Sequence, residues 1–357
     1  MTGLYIHIPF CKRKCFYCDF LSVQYDAALA DKYISALIKE ALTYKEIAIS
    51  TVYIGGGTPS VLSCEQLKKL IENIKNIFDI SKLQEFTVEL NPESAENDKL
   101  HLLYNENVSR LSFGLQTAND KLLENIGRLH NFDKFKQAYG SALKKGFTDI
   151  NIDLMYGIQD QTLADWEKTL DTVLNFNSSH ISLYPLTIEK GTKFYLQKTE
   201  TNPELQRAMY ETACIKFKNN NLSHYEISNW ARDKKYSKHN KTYWQNNEYV
   251  GLGAAAASYY KRYRFKNNIN VNEYINNILG GKDACIEKEY INDAVYNTET
   301  IMLGLRLSEG VHIKYFNDKK HIIDKYLKEG FLHIKNDRVS LTEEAFFLSN
   351  SIISDLI

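Results

Sequence analysis

The sequence predicts an α/β protein: a parallel sheet or barrel of six strands, followed by a small winged-helix-like α+β module. Two observations carry this. Short apolar runs alternate with amphipathic stretches through the first half of the chain, and from about Asn292 the pattern changes to helices and a hairpin. The six runs fall at residues 4–8, 51–54, 86–90, 110–113, 150–154 and 180–184. They are mostly rich in β-branched or aromatic residues and end near Gly, Pro or Asn, as strands do. Between them, Leu67, Leu70, Ile71, Ile74, Ile77 and Phe78 follow helical spacing. Ser63 and Gln66 form a capping box ahead of that helix, with Leu62 and Leu67 placed as its staple. Leu163, Trp166, Leu170, Val173 and Leu174 share one face of a second helix. Strand–helix alternation of this kind reads as successive right-handed βαβ units.

After Leu186 the alternation stops. A helix over residues 204–218 leads to an aromatic-rich stretch at 224–244 and then to Gly251-Leu252-Gly253-Ala254-Ala255-Ala256-Ala257. The last part ends in Phe331-Leu332-His333-Ile334, a turn at Asn336-Asp337, Val339-Ser340-Leu341 and a closing helix. Gly251 to Ala256 fits G-x-G-x-x-A, but it lacks the βαβ context that a dinucleotide site requires.

Charge narrows the function classes. The 357 residues carry 44 Lys+Arg against 44 Asp+Glu, which argues against a polybasic coat for nucleic acid or anionic membrane, a local patch aside. From Val311 onward, basic and acidic residues also balance, so the winged module has no basic face for reading DNA. No apolar run approaches the roughly 20 residues of a membrane span, and residues 1–9 carry no signal segment. A cytoplasmic protein is expected. Of six cysteines, Cys64, Cys214 and Cys285 are scattered and have no assigned role, and the set is no disulfide framework.

Cys11-x3-Cys15-x2-Cys18 follows the first strand directly. Thiolates are soft ligands suited to zinc or to iron–sulfur clusters. A structural zinc site closes with four ligands, and only three cysteines are local. His7 is a possible fourth, though a strand side chain need not face the loop. Three thiolates on four irons would leave one iron open to an outside ligand. The spacing favours a cluster and leaves zinc as the alternative. Tyr17 and Phe20 make the loop dry, while Lys12, Arg13 and Lys14 offset thiolate charge.

The remaining polar features fall at the C-terminal ends of the predicted strands, the face where such folds place chemistry. Gly55-Gly56-Gly57-Thr58-Pro59 follows strand two, Glu89-Leu90-Asn91-Pro92 ends strand three, and Gly114-Leu115-Gln116 ends strand four. Asp153 ends strand five and Tyr184-Pro185 ends strand six. Glu89 and Asp153, in otherwise apolar strands, are candidates for an ammonium and a ribose diol. Four of the five prolines, Pro9, Pro59, Pro92 and Pro185, mark strand exits on this face.

Taken together, these residues resemble the radical S-adenosylmethionine proteins of the HemN/HemW family. The motif from Tyr5 to Phe20 carries the resemblance, with the GGGTPS run at Gly55, Glu89-x-Asn91-Pro92, Gly114-x-Gln116-Thr117, Gly127-Arg128-x-His130 and Asp153-Leu154-Met155-Tyr156-Gly157. It continues through Tyr184-x-Leu186-Thr187 and Tyr225 to Asn229, and ends at Gly251-x-Gly253. The resemblance implies a partial (β/α)6 radical-SAM barrel over residues 1–200, a family-type extension over 201–290 and a winged-helix-like domain over 291–357. It implies that Cys11, Cys15 and Cys18 hold a [4Fe-4S] cluster whose open iron is chelated by S-adenosylmethionine. Tyr5, Tyr17, Gly56, Gly57, Thr58, Glu89, Gln116, Arg128, Asp153, Pro185 and Ala257 fall at the family's cofactor-contacting positions.

Within the family, HemN-like coproporphyrinogen III dehydrogenases carry a further cysteine where this chain has Phe20, and an N-terminal extension for which Cys11 leaves no room. HemW-like haem chaperones carry Cys-Asp-Phe and His-Asn-x-x-Tyr-Trp, matched here by Cys18-Asp19-Phe20 and by His239 to Trp244. The resemblance therefore implies haem as a ligand, with His239 as a candidate contact, and acceptor haemoproteins as partners. Membrane contact would come only through acceptors, and a flavodoxin or ferredoxin would donate electrons if the chain is redox-active. One departure is that Ala257 stands where many relatives have histidine. The alternative function is a radical enzyme acting on a porphyrinogen. RNA modification is disfavoured by the charge balance.

Overall fold

The computed structural model describes residues 2–316 and 318–357. Strand β1 (Thr2–Ile8) runs into a short parallel pair, β2 (Phe10–Cys11) and β3 (Val23–Gln24). Next come β4 (Ile49–Gly56), β5 (Glu85–Leu90), β6 (Arg110–Gln116), β7 (Ile150–Tyr156) and β8 (His180–Pro185). Strands β1, β4, β5, β6, β7 and β8 lie side by side in that order, all parallel. These are the six strands read from the sequence, each one to four residues longer than its apolar run.

The later strands extend the same sheet. β9 (Ser223–Glu226) and β10 (Asn229–Ala231) add to β8 antiparallel. β11 (Tyr249–Leu252) joins the other side, parallel to β1, and β12 (Ala257–Tyr260), β13 (Tyr263–Asn267) and β14 (Cys285–Tyr290) follow antiparallel. The sheet thus has twelve strands from β14 to β9, and among the described residues no ladder joins these two ends. It is a partial barrel. Within residues 201–290, helices Pro203–Asn219 and Val271–Leu279 bury Met209 and Tyr274 in the sheet's core, and strands of three to six residues add to both edges of the sheet. Such short pieces leave little periodicity to read.

Helices Ala27–Ala41, Cys64–Ile77, Phe132–Lys145 and Leu163–Leu174 cover the outside, burying Tyr33, Leu70, Phe135 and Trp166 in one core with the sheet. The capping box forms as expected: Gln66 N donates to Ser63 Oγ at 3.1 Å and Ser63 N donates to Gln66 Oε1 at 3.0 Å. A separate core, which includes Ile301, Val339 and Leu356, gathers the C-terminal module. That module holds helices Asp293–Gly304, Lys320–Lys328 and Ser349–Leu356 around β15 (Val311–His312), β16 (Leu332–Lys335) and β17 (Arg338–Leu341). Its hairpin turns at Asn336 and Asp337, with φ of 51° and 59°, as a tight two-residue turn demands.

One short helix sits inside. Lys238–Trp244 packs on β1 and β4, with Gly3, Thr51 and Glu85 around its first turn. Lys238 N and His239 N donate to the Glu85 carboxylate at 2.7 and 3.2 Å, so a strand carboxylate caps the helix. These partners lie at the N-terminal ends of their strands, and the helix plugs that end of the barrel. The other end is open.

Candidate cofactor site

The open end is a cavity of about 510 Å³ at the C-terminal ends of the parallel strands. Cys11, Cys15 and Cys18 line one side of it. Their loop is fixed from both ends: Tyr25 N donates to Cys11 O at 2.9 Å, and Phe16 N donates to Ile126 O at 3.0 Å. Arg13 clamps the loop to the next one, donating through Nη2 to Gly127 O at 2.9 Å and Arg128 O at 2.8 Å. Burial pushes the Cys11 thiol up, and pushes Cys18 up to about 11. Among the described residues, no three His, Cys, Asp or Glu side chains are grouped as a site for a single metal ion. The three thiols ring one cavity.

The glycine run lies beneath them. Gly56 has φ of +113°, and a Cβ there would come within 2.6 Å of the His7 ring. A Cβ on Gly57 would meet Phe10 O at 2.9 Å and Cys11 Sγ at 3.0 Å. Only glycine lets this backbone turn under the cysteine loop.

Glu89 and Asp153 face the cavity from β5 and β7. Glu89 accepts from Tyr53 Oη at 2.7 Å and from Gly56 N at 3.0 Å. Burial still pushes its carboxyl up to about 7, helped by the charge of Asp153. Asp153 accepts from Asn151 Nδ2 at 2.7 Å and Ser112 Oγ at 3.2 Å, and burial raises it as well. Two half-buried carboxylates on the cavity wall suit a ligand that brings positive charge and hydroxyl donors.

Arg128 spans the floor. Nη2 donates to Gly114 O at 2.7 Å and Nη1 to Asn91 Oδ1 at 3.1 Å, with Cys15 Sγ 3.7 Å from Nη1. Burial opposes its charge, but Tyr17, Cys15 and Glu93 outweigh that and hold it protonated. Gln116, at the end of β6, is buried with φ of +74° beside a bulge in the β6–β7 ladder. A left-handed glutamine is strain kept at the site.

The cavity thus brings together the three cysteines with Tyr17, Gly56, Gly57, Thr58, Glu89, Gln116, Arg128, Asp153 and Pro185. Tyr5 lies just below, its ring 6.2 Å from Tyr53 and its hydroxyl 3.0 Å from His7 Nδ1. Two expected residues are placed elsewhere. Ala257 is exposed at the start of β12, outside the cavity lining. His239 is 1% exposed in the plug helix, stacked on Tyr53 with ring centroids 5.1 Å apart. Its Nδ1 lies 2.9 Å from Thr51 Oγ1 and its Nε2 2.8 Å from Tyr243 Oη. Sequence reasoning missed Ser22 and Tyr53 as lining residues. Tyr53 was findable, since it stands two residues before Gly55 and strand side chains alternate.

The donor set fits a cluster together with an added ligand. Three thiols face one cavity, and Arg128 Nε, in its wall, is buried without a partner among the described residues. This combination defines a class, the radical SAM proteins, and residues 5–173 match the Radical SAM superfamily model. Residues 293–348 match the HemN C-terminal domain. The chain is 36% identical to "Heme chaperone HemW" of Bacillus subtilis, covering 99% of this chain and 98% of that one. It is 33% identical to the protein of that name from Lactococcus lactis, covering 100% and 97%. Coproporphyrinogen III oxidase (HemN) from Escherichia coli shares the fold, with TM-score 0.87 at 20% identity over 99% of this chain and 89% of that one. The chain belongs to the HemN/HemW family of radical SAM proteins.

Proposed function

We propose that this chain is a haem chaperone: it binds haem and passes it to acceptor haemoproteins. In this reading Cys11, Cys15 and Cys18 would hold a [4Fe-4S] cluster, and Glu89, Gln116, Arg128 and Asp153 would hold S-adenosylmethionine. When bound, the cluster supplies an open iron and an electron to S-adenosylmethionine. The protein's own residues orient that ligand: Glu89 takes its amino group, Asp153 its ribose, and the Gly56–Gly57 backbone lets it approach the thiol loop. Tyr17 and Met155 keep the cavity wall dry.

The observation that carries the chaperone over the enzyme is position 20. Its phenylalanine is 61% exposed at the cavity rim, where HemN-like enzymes have a cysteine. Full-length relatives named as haem chaperones support the same reading. A cytoplasmic site of action is proposed with it, and no helix among the described residues is long and apolar enough to cross a membrane. Acceptors would make any membrane contact, and a flavodoxin or ferredoxin would reduce the cluster.

Anaerobic reconstitution followed by haem titration tests the proposal. A Soret shift and haem transfer to an apo-haemoprotein are expected, with no vinyl product from coproporphyrinogen III. Vinyl product without haem binding would replace the chaperone with the enzyme. His239→Ala in the same titration tests the haem contact, which would first require the plug helix to release both ring nitrogens.

A further inference from the structure

We propose that Asn91 is a positioning residue that sets the hydrogen bonding of two cluster thiols at once, an inference that rests on the cluster reading above. The argument turns on direction. Arg128 can only donate, so the Asn91 atom 3.1 Å from its Nη1 is the carbonyl oxygen Oδ1. That fixes the amide against a flip, and Nδ2 donates to Thr58 Oγ1 at 3.0 Å. A hydroxyl that accepts there keeps its own proton for another partner. The sulfur of Cys11 lies 3.4 Å from it.

On the other side, the Nη1 that binds Asn91 also lies 3.7 Å from Cys15 Sγ. The relay therefore runs from Arg128 to Asn91 to Thr58 to Cys11, and from Arg128 to Cys15. Asn91 is itself fixed, its backbone N–H donating to Ser60 Oγ at 3.2 Å and its carbonyl accepting from Ser94 N at 3.0 Å. The burial of Thr58 and Arg128 shields the relay from competing water. Cys18 lies outside it, near the backbone N–H of Phe20. One amide thus makes the three thiols inequivalent.

Donors to cluster sulfurs stabilise the added electron and raise the reduction potential. Asn91→Asp keeps the shape but replaces Nδ2 with an acceptor, so the Thr58 hydroxyl turns to the carboxylate and leaves Cys11. Thr58→Val removes the donor alone. Asn91→Leu removes the amide that orients the Thr58 hydroxyl and holds Arg128, without adding charge, and serves if Asn91→Asp does not fold.

Wild type, the single variants and Asn91→Asp/Thr58→Val would be reconstituted anaerobically with iron and sulfide. Iron content and the midpoint from an EPR-monitored redox titration are the readouts. Each single variant is expected to keep its iron and shift the one-electron equilibrium about tenfold toward the oxidised cluster, about 59 mV. The double variant is expected to shift it by less than the sum, because Asn91 acts through Thr58. Unchanged midpoints in loaded variants, or strict additivity, would overturn the relay alone. A wild-type chain that takes up no cluster would overturn the cluster reading and the relay with it.

Discussion

The two ends of the barrel interior are both polar and both buried, yet they are finished differently. At the plugged end the buried histidines and Arg110 have their partners within the protein. His239 bonds Thr51 and Tyr243, His180 bonds Asn151 and Tyr225, and Arg110 pairs with Asp149 at 2.6 Å. At the open end Glu89 is held by a hydroxyl and an amide, and Arg128 Nε has no partner among the described residues. Buried polar groups are costly when unpaired, so the open end is suited to a ligand that would supply the missing partner. Tyr53 joins the two, its hydroxyl on Glu89 and its ring on His239.

The largest test of this contrast is to remove a thiol at the open end. Cys15→Ala is expected to abolish the cluster, read as loss of visible absorbance and of bound iron, while the melting temperature of the metal-free protein stays near wild type. Next in size, Glu89→Gln leaves either Tyr53 Oη or Gly56 N facing an amide NH₂. S-adenosylmethionine affinity, measured by equilibrium dialysis on the loaded protein, should fall at least tenfold. An unchanged affinity would remove Glu89 from the site.

At the plugged end, His239→Ala should cost about 3 kcal/mol of stability through lost packing and two stranded hydroxyls. Iron uptake should persist below the melting point. Acid should act on the two ends in opposite senses. The His239 pKa is lowered to about 3 by burial, so its contribution is whole above the ordinary histidine value near 6.5 and is lost as pH falls toward 3. Glu89, raised to about 7, stabilises the ligand-free fold most below the ordinary carboxyl value of 4.5, and that contribution is lost as pH rises toward 7. Urea unfolding from pH 4.5 to 7.5 should therefore show opposite changes of slope in His239→Ala and Glu89→Gln relative to wild type. The smallest effect is expected far from both ends. Cys285→Ser, on the edge strand β14, should change stability by no more than about 0.5 kcal/mol.

Much of this contrast was legible in the sequence at the open end and little at the plugged one. Strands β1, β4, β5, β6, β7 and β8 showed as apolar runs because parallel strands are buried on both faces. The cysteine spacing, the glycine run and the lone carboxylates then marked one face. Asn91 was visible only as a strand end, because its role depends on Thr58 and Arg128, 33 and 37 residues away. The plug was illegible for a different reason. Helix Lys238–Trp244 has seven residues, too few for a periodic signal, and its cap is a carboxylate 153 residues earlier. Without that context His239 reads as a free ligand in an aromatic motif. The antiparallel edges β12 to β14 were hidden among exposed tyrosines and charges, where alternation is blurred.

The position of β1 has a consequence in time. It precedes the other described strands along the chain, yet it lies inside the sheet between β4 and β11, and β11 begins at Tyr249. At roughly 5–20 residues per second of synthesis, β1 waits on the order of ten to fifty seconds for its second neighbour. The cysteine loop hangs from its end, so the three thiols are translated well before the strand that completes their surroundings. Pulse alkylation of nascent chains should label Cys11, Cys15 and Cys18 until residues 238–252 have emerged, and protection before then would show that the loop closes on its own.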